Sequence, residues 1–357
     1  MKAALLGIGQ AGGKVAQALR DADRKAGYDA VRGVLAVNTA QSDLQGLDVE
    51  TLLVGEERVE GHGVGADNEL GASIMQADVG EVMGALDGIV DPATEAVFVL
   101  AGLGGGTGSG GAPVLVRELE RVYDVPVYGI GILPGAEEGA IYQANAGRSL
   151  KTFVREADSL LLIDNDAWRT SGESVAESFE AINETIARRL GLVLAAGEAV
   201  EGVGEAVVDS SEVINTLRAG GLSAIGYASA EAAPDASENV NVITSTARKA
   251  LMTGMSLPET TVADAGLVIV AGEKERIPRK GVERARSWIE EQTQSMQVRG
   301  GDFPLDSERI AVVVVLSGIA RSPRLETFME RAKAASETEG REDPADAFDT
   351  DQLDGLF

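Results

Sequence analysis

Short apolar runs alternate with amphipathic stretches along the first half of the chain, the pattern of strands and helices wound about a parallel sheet. The candidate strands, built on these short apolar runs, are Lys2–Ile8, Val31–Asn38, Glu95–Gly102, Pro126–Leu133 and Ser159–Asn165. Helical spacing predicts helices over Gly13–Ala26, Asp67–Ile89, Ala112–Tyr123 and Ala140–Ala157, joined by short connections rich in Gly, Asn, Asp and Pro. A longer helical stretch follows over Ser174–Gly197. At 1.5 Å per residue it spans roughly 35 Å. After Gly202 the pattern becomes mixed α+β, with strands near Ala265–Glu273 and Glu308–Ile319 and a helix over Arg279–Gln294 between them. From Ser336 the chain is acidic and aperiodic, so a disordered tail is expected. The organisation predicted is an α/β domain over 1–172, a central helix over 173–198, a smaller α+β domain over 199–335 and a tail over 336–357.

Composition narrows the function classes. A chain of 357 residues exceeds one ordinary core, so one large or two packed domains are expected. No apolar stretch approaches the ~20 residues of a membrane span. The start "MKAALLGIGQAGG" reaches glycines at once and reads as a first strand, not a signal peptide. With no cysteine there is no disulfide, thiolate nucleophile or Cys-metal site, which suits a cytoplasmic protein. Acidic residues number 57 against 31 basic, for a net charge of −26. That field repels nucleic acid and anionic membranes. The acids are scattered, which points to a surface adapted to high salt, where the Debye length is about 3 Å at 1 M.

Two glycine-rich segments carry the candidate chemistry. "GIGQAGGK", Gly7 to Lys14, follows the first strand and satisfies G-x-G-x-x-G through Gly7, Gly9 and Gly12. Alone it fits either a dinucleotide-binding turn or a plain tight strand–helix turn. The second predicted strand ends in Asn38-Thr39, without the acid a dinucleotide ribose would need. "GGGTGSG", Gly104 to Gly110, also lies between a strand and a helix. Two such turns at one sheet edge can wrap a single polyphosphate, offering successive backbone N–H groups with no Cβ in the way. Thr107 and Ser109 would add hydroxyl donors.

"GGGTGSG" resembles the signature loop of the tubulin/FtsZ superfamily of assembling GTPases. "LLGIGQAGGK", "VNTAQSDL" and "DSSEVINTL" resemble the archaeal CetZ family within it, associated with cell shape. The resemblance runs from Lys2 to about Lys333 and implies a Rossmann-type GTP-binding domain, a long central helix and a smaller C-terminal domain. It implies that Gln10, Ala11, Gly12, Gly13 and Lys14 line the phosphates, with Asn38 beside them. Gly105, Gly106, Thr107 and Gly108 would hold the α and β phosphates. The loop Gly63–Glu69 would sense the γ-phosphate through Ala66, Asp67 and Asn68. Glu138 matches the ribose-binding acid, and Tyr142 stands where FtsZ usually has an arginine. Asn165 and Asn183 match the residues that read guanine, and Phe179 the ring stacked on it. Phe179 and Asn183, four apart, share one face of the long helix. A Gly106→Val change is expected to abolish GTP binding and spare the fold.

Nothing in the nucleotide loops resembles a general base. The sole histidine, His62, reads as a solvated loop residue. Asp209 and Glu212 lie three apart at a helical start that Ser210 or Ser211 could cap. The resemblance implies that these two acids reach the γ-phosphate of the next subunit in a head-to-tail filament and polarise the attacking water. Val207 replaces an asparagine common in FtsZ. GTP and GDP would be bound with Mg²⁺ held mainly through phosphates and water. Partners would be further copies of the chain and proteins bound by the tail, with neither nucleic acid nor membrane insertion. The alternatives are a regulatory assembly protein with little turnover and a dinucleotide-dependent oxidoreductase.

Overall fold

The computed structural model describes residues 1–167, 175–196, 208–260 and 262–338, the side chains of 175–179 and 338 excepted. In chain order the first elements are β1 (Ala3–Ile8), α1 (Gly9–Ala26), β2 (Val31–Asn38), α2 (Gln41–Leu44), β3 (Glu50–Leu53), α3 (Glu56–Val59) and α4 (Asn68–Ala85). Next come β4 (Ala96–Gly102), α5 (Thr107–Val122), β5 (Val127–Leu133), α6 (Ala140–Glu156), β6 (Ser159–Asp164) and α7 (Val175–Ala196). The C-terminal part holds α8 (Ser210–Leu217), β7 (Leu222–Glu231), α9 (Asn239–Met252) and β8 (Val262–Gly272). It ends with α10 (Arg279–Thr293), β9 (Gln297–Pro304), β10 (Arg309–Arg321) and α11 (Pro323–Thr338).

All ten strands form one sheet in the order β3-β2-β1-β4-β5-β6-β7-β10-β8-β9. The strands from β3 to β6 pair in parallel, whereas β10 runs antiparallel to both β7 and β8. Helices cover both faces. Along β1, Ala4, Leu6 and Ile8 face the core shared with α4, α5 and α6, while Ala3 and Leu5 face the one shared with α1 and α7. Burial on both sides is why these strands read as unbroken apolar runs instead of alternating ones.

The seam between the two parts is narrow. β6 and β7 pair only through Leu160–Leu222 and Leu161–Ser223. Beyond these pairs Ser256 wedges between the strands: its hydroxyl donates to the Leu162 carbonyl at 2.7 Å, and its own carbonyl accepts the Asp164 N–H at 2.8 Å.

Several boundaries differ from the sequence expectation for physical reasons. α1 and α5 begin four and five residues early because their glycines lie inside the helices, against helix propensity. Close backbone approach compels this: a Cβ at Gly12 would run into the Leu100 carbonyl, and one at Gly110 into the Asn68 carbonyl. α5 also tolerates an internal proline. Pro113 cannot bond the Ser109 carbonyl, and the Ser149 hydroxyl donates to that oxygen instead, at 2.7 Å. α4 stops at Ala85, short of Ile89. α11 continues through Ser336, which is buried and accepts from Arg148 Nη2 at 3.2 Å, so that residue belongs to the folded body. α11 takes in the first residues of the expected tail, to Thr338, and residues 339–357 lie outside the described residues. Strands β3, β7 and β9 and helix α9 carry no pattern strong enough to have been read.

Candidate functional site

The two glycine segments meet. Gly9 has φ of 72°, and a Cβ there would come within 3.0 Å of the Gly108 nitrogen, so the starts of α1 and α5 are neighbours. Neither start has a side-chain cap or an acid in its first turn. Two adjacent helix N-termini, each with unclaimed N–H groups and the positive end of a dipole, form a natural anion cradle. The glycines divide into two classes. Gly105 faces open space, with nothing within 4 Å of a Cβ. Gly106 does not: its Cβ would lie 2.6 Å from both the Gly65 oxygen and Val64 Cγ2, and that of Gly108 2.8 Å from the Gly102 oxygen. Most of these glycines therefore serve backbone packing, which corrects the expectation that Gly106→Val would spare the fold.

The hydroxyls are also engaged. Thr107 Oγ1 shares a hydrogen bond of 2.7 Å with Thr39 Oγ1, both buried. Ser109 donates to the Gly105 carbonyl, so it stiffens the loop and is not an outward donor. Gln10 and Asn38 are tied by a residue that the sequence reading passed over. Asp43 accepts from Gln10 Nε2 at 3.0 Å and from Asn38 Nδ2 at 3.1 Å. Gly13 is buried against the side of Ala36, whereas Lys14 is exposed.

The loop Gly63–Glu69 is fastened to the glycine loop at two points. The Gly106 N–H donates to the Gly65 oxygen at 3.2 Å. Asn145, wholly buried on α6, donates from Nδ2 to the Ala66 oxygen at 2.6 Å and the Gly104 oxygen at 3.1 Å. Asn145 had no motif to reveal it, since its role depends on two distant carbonyls converging. Asp67 is occupied as the cap of α4, accepting the Leu70 N–H at 3.0 Å, while Asn68 is buried with its Oδ1 unpartnered. His62 is exposed, as expected for a solvated loop residue.

Glu138 closes its own turn, Oε1 accepting the Gly135 N–H at 2.7 Å. Tyr142 stands beside Gly104, 40% exposed. Asn165 follows β6, buried, with no partner for Oδ1. A cleft of about 1390 Å³ runs between α1, α7 and the C-terminal strands, and Lys14, Asp43 and Asn183 all line it. The Phe179 side chain lies outside the described residues. Among the described residues no three His, Cys, Asp or Glu side chains gather as a metal site.

Asp209 and Glu212 lie elsewhere. Ser210, next to Asp209, donates to Glu95 Oε1 at 2.7 Å, and Glu95 directly precedes β4. The glycine loop follows the other end of β4, so the acids and the cradle are separated by a strand of about 23 Å. The cap of α8 is Asp209 itself, not either serine: Oδ1 accepts the Glu212 N–H at 3.0 Å. The Ser211 hydroxyl holds the Asp209 carboxyl below the usual range, whereas burial and then the Asp209 charge push Glu212 up. Two adjacent acids thus have divergent proton affinities, one a fixed anion and one a better base. Val207 lies outside the described residues.

Residues 2–173 match the Tubulin/FtsZ family GTPase domain, and 172–334 match the C-terminal domain of tubulin-like CetZ. The tubulin-like protein CetZ2 of Haloferax volcanii is 64% identical over 360 residues, covering all of both chains. The GTPγS-bound protofilament structure of that CetZ2 superposes with a TM-score of 0.92 at 62% identity, over 95% of this chain and 100% of the other. The GDP-bound monomer of CetZ1 from the same organism gives 0.87 at 49%, over 94% and 100%. With both domains matched by family models and a CetZ relative 64% identical over its whole length, the chain belongs to the CetZ family of tubulin-like proteins.

Proposed function

We propose that this protein binds GTP and GDP, assembles head to tail, and hydrolyses GTP at the contact between subunits as a cytoskeletal GTPase concerned with cell shape. The observation that carries the reading is the placement of the cradle and the Asp209–Glu212 pair beyond opposite ends of β4. A single subunit cannot bring its own acids to its own nucleotide, whereas stacking copies in one direction presents α8 of one to the cradle of the next. The α1 and α5 starts would bind the phosphates, Glu138 the ribose, and Asn165, Asn183 and Phe179 the base. Mg²⁺ carried on the phosphates would neutralise developing charge. Asp209 and Glu212 would orient and deprotonate the attacking water, since phosphoryl transfer is mainly positioning and electrostatics. The relatives named above, bound to GTPγS in a protofilament and to GDP as a monomer, support both nucleotide states and self-assembly. No helix among the described residues is long and apolar enough to cross a membrane. The whole-chain family match leaves the dinucleotide oxidoreductase reading without support.

Phosphate release measured against protein concentration at high salt tests this. Specific activity should rise with concentration for GTP and not for ATP. A mixture of Glu212→Gln with a cradle variant should show turnover above either alone, because one contact then pairs an intact cradle with intact acids. Concentration-independent turnover excludes the shared site.

A further inference from the structure

We infer that Arg324, on the C-terminal helix α11, is a positioning residue for base recognition, holding the strand end that bears Asn165 and the loop that bears Glu138 in one arrangement. The inference rests on the proposed GTP-binding role and deepens it. Arg324 Nε donates to Asp164 Oδ2 at 2.5 Å and Nη2 to Asp166 Oδ2 at 2.9 Å. These two carboxylates flank Asn165 in the chain. Asp164 is nearly buried, with a side chain 4% exposed. The same Asp166 oxygen accepts the Ala136 N–H at 2.9 Å, two residues before Glu138. Asp164 Oδ1 in turn accepts the Asp166 N–H at 3.0 Å. One guanidinium therefore clamps both carboxylates of the strand end, one on each arm of its fork, and reaches the Glu138 loop through Asp166; that geometry suits arginine and not lysine.

The consequence falls on Asn165. Its Oδ1 is buried with no partner, so it is an acceptor awaiting a donor. Guanine offers a ring N–H and an amino group side by side on its pairing edge. Adenine offers an amino group next to a ring acceptor, which a fixed carboxamide oxygen repels. Discrimination needs the carboxamide held at one angle. With Arg324 gone, two carboxylates lose their shared cation and their anchor to α11, and both the base and ribose segments are freed.

The test measures GTP and ATP affinities of the full chain alongside thermal melting, for wild type, Arg324→Lys, Arg324→Gln and Arg321→Gln. Arg321 is exposed and, among the described residues, forms an ion pair with Glu326 at 3.9 Å, so it serves as the control. Lysine keeps the charge but reaches one carboxylate at a time. Arg324→Lys should therefore keep most of the melting temperature and lose about tenfold in the GTP-to-ATP affinity ratio, with Arg324→Gln losing more and Arg321→Gln nothing. Should Arg324→Gln fail to fold, the lysine variant carries the test. A wild-type ratio retained by Arg324→Lys overturns the inference, as does a proportional fall in both affinities that follows the melting temperature. A wild type that binds both nucleotides equally overturns the GTP reading itself.

Discussion

Asp209 Oδ1 accepts the backbone N–H of Glu212 at 3.0 Å, so one acid of the pair fixes the helix turn on which the other stands. Their roles separate accordingly. Glu212→Gln leaves the cap intact and should lose about 10²–10⁴-fold in GTP turnover with nucleotide affinity unchanged. Asp209→Asn retains capping ability, whereas Asp209→Ala should also destabilise α8 by about 1 kcal/mol. Single-turnover assays, calorimetry and melting curves on the three variants distinguish the two effects, and filaments of Glu212→Gln should persist after GTP is added.

The pH dependence follows from the same pair. Burial and the Asp209 charge raise Glu212 above the ordinary glutamate value of 4.5. Glu212 must be ionised to take a proton from water. Turnover should therefore rise with pH through that raised value and fall below it, with an acid limb above 4.5. Asp209→Asn removes one of the two raising influences, so its limb should move to lower pH. A pH–rate profile of assembled wild type and variant measures both.

Gly105 and Gly106 should respond differently to alanine. Gly106→Ala places a methyl 2.6 Å from the Gly65 oxygen and should cost about 1–3 kcal/mol of stability. Gly105→Ala meets no protein atom and should melt like wild type while weakening nucleotide binding. Thermal melts paired with calorimetry check this, and similar melting of the two variants would contradict the packing role assigned to Gly106.

Asn145 should tune the response to the γ-phosphate. Its amide joins the Ala66 and Gly104 carbonyls, the one on the sensing loop and the other on the cradle. Asn145→Ala leaves two carbonyls without their shared donor, at about 1–3 kcal/mol. The ratio of GTPγS to GDP affinity should fall several-fold, with GDP affinity nearly retained. Equal losses for both nucleotides would mark the contact as structural only.

The parallel half of the fold was legible because strands such as Ala3–Ile8 are buried on both faces and so are apolar throughout. Strand β7 was not, because only its first half is buried, and the buried face of α9 mixes the polar Asn239 and Thr246 with Ile243, Ala247, Ala250 and Leu251. The glycine clusters marked where the chain must approach something closely, but not what. Tertiary structure decided that Gly12 and Gly110 approach backbone and that Gly105 alone among the residues compared faces open space. Asp209 and Glu212 were visible as a pair through their spacing, a local property. Their distance from the cradle depends on which end of β4 each segment reaches. Asn145, Asp43 and Arg324 were silent for the same reason: each acts by joining groups far apart in sequence, such as Arg324 with Asp164 across 160 positions. Local periodicity reports burial and turn chemistry along one segment. Convergence of hydrogen bonds between segments is set by the packing of the whole sheet, and no window of sequence contains it.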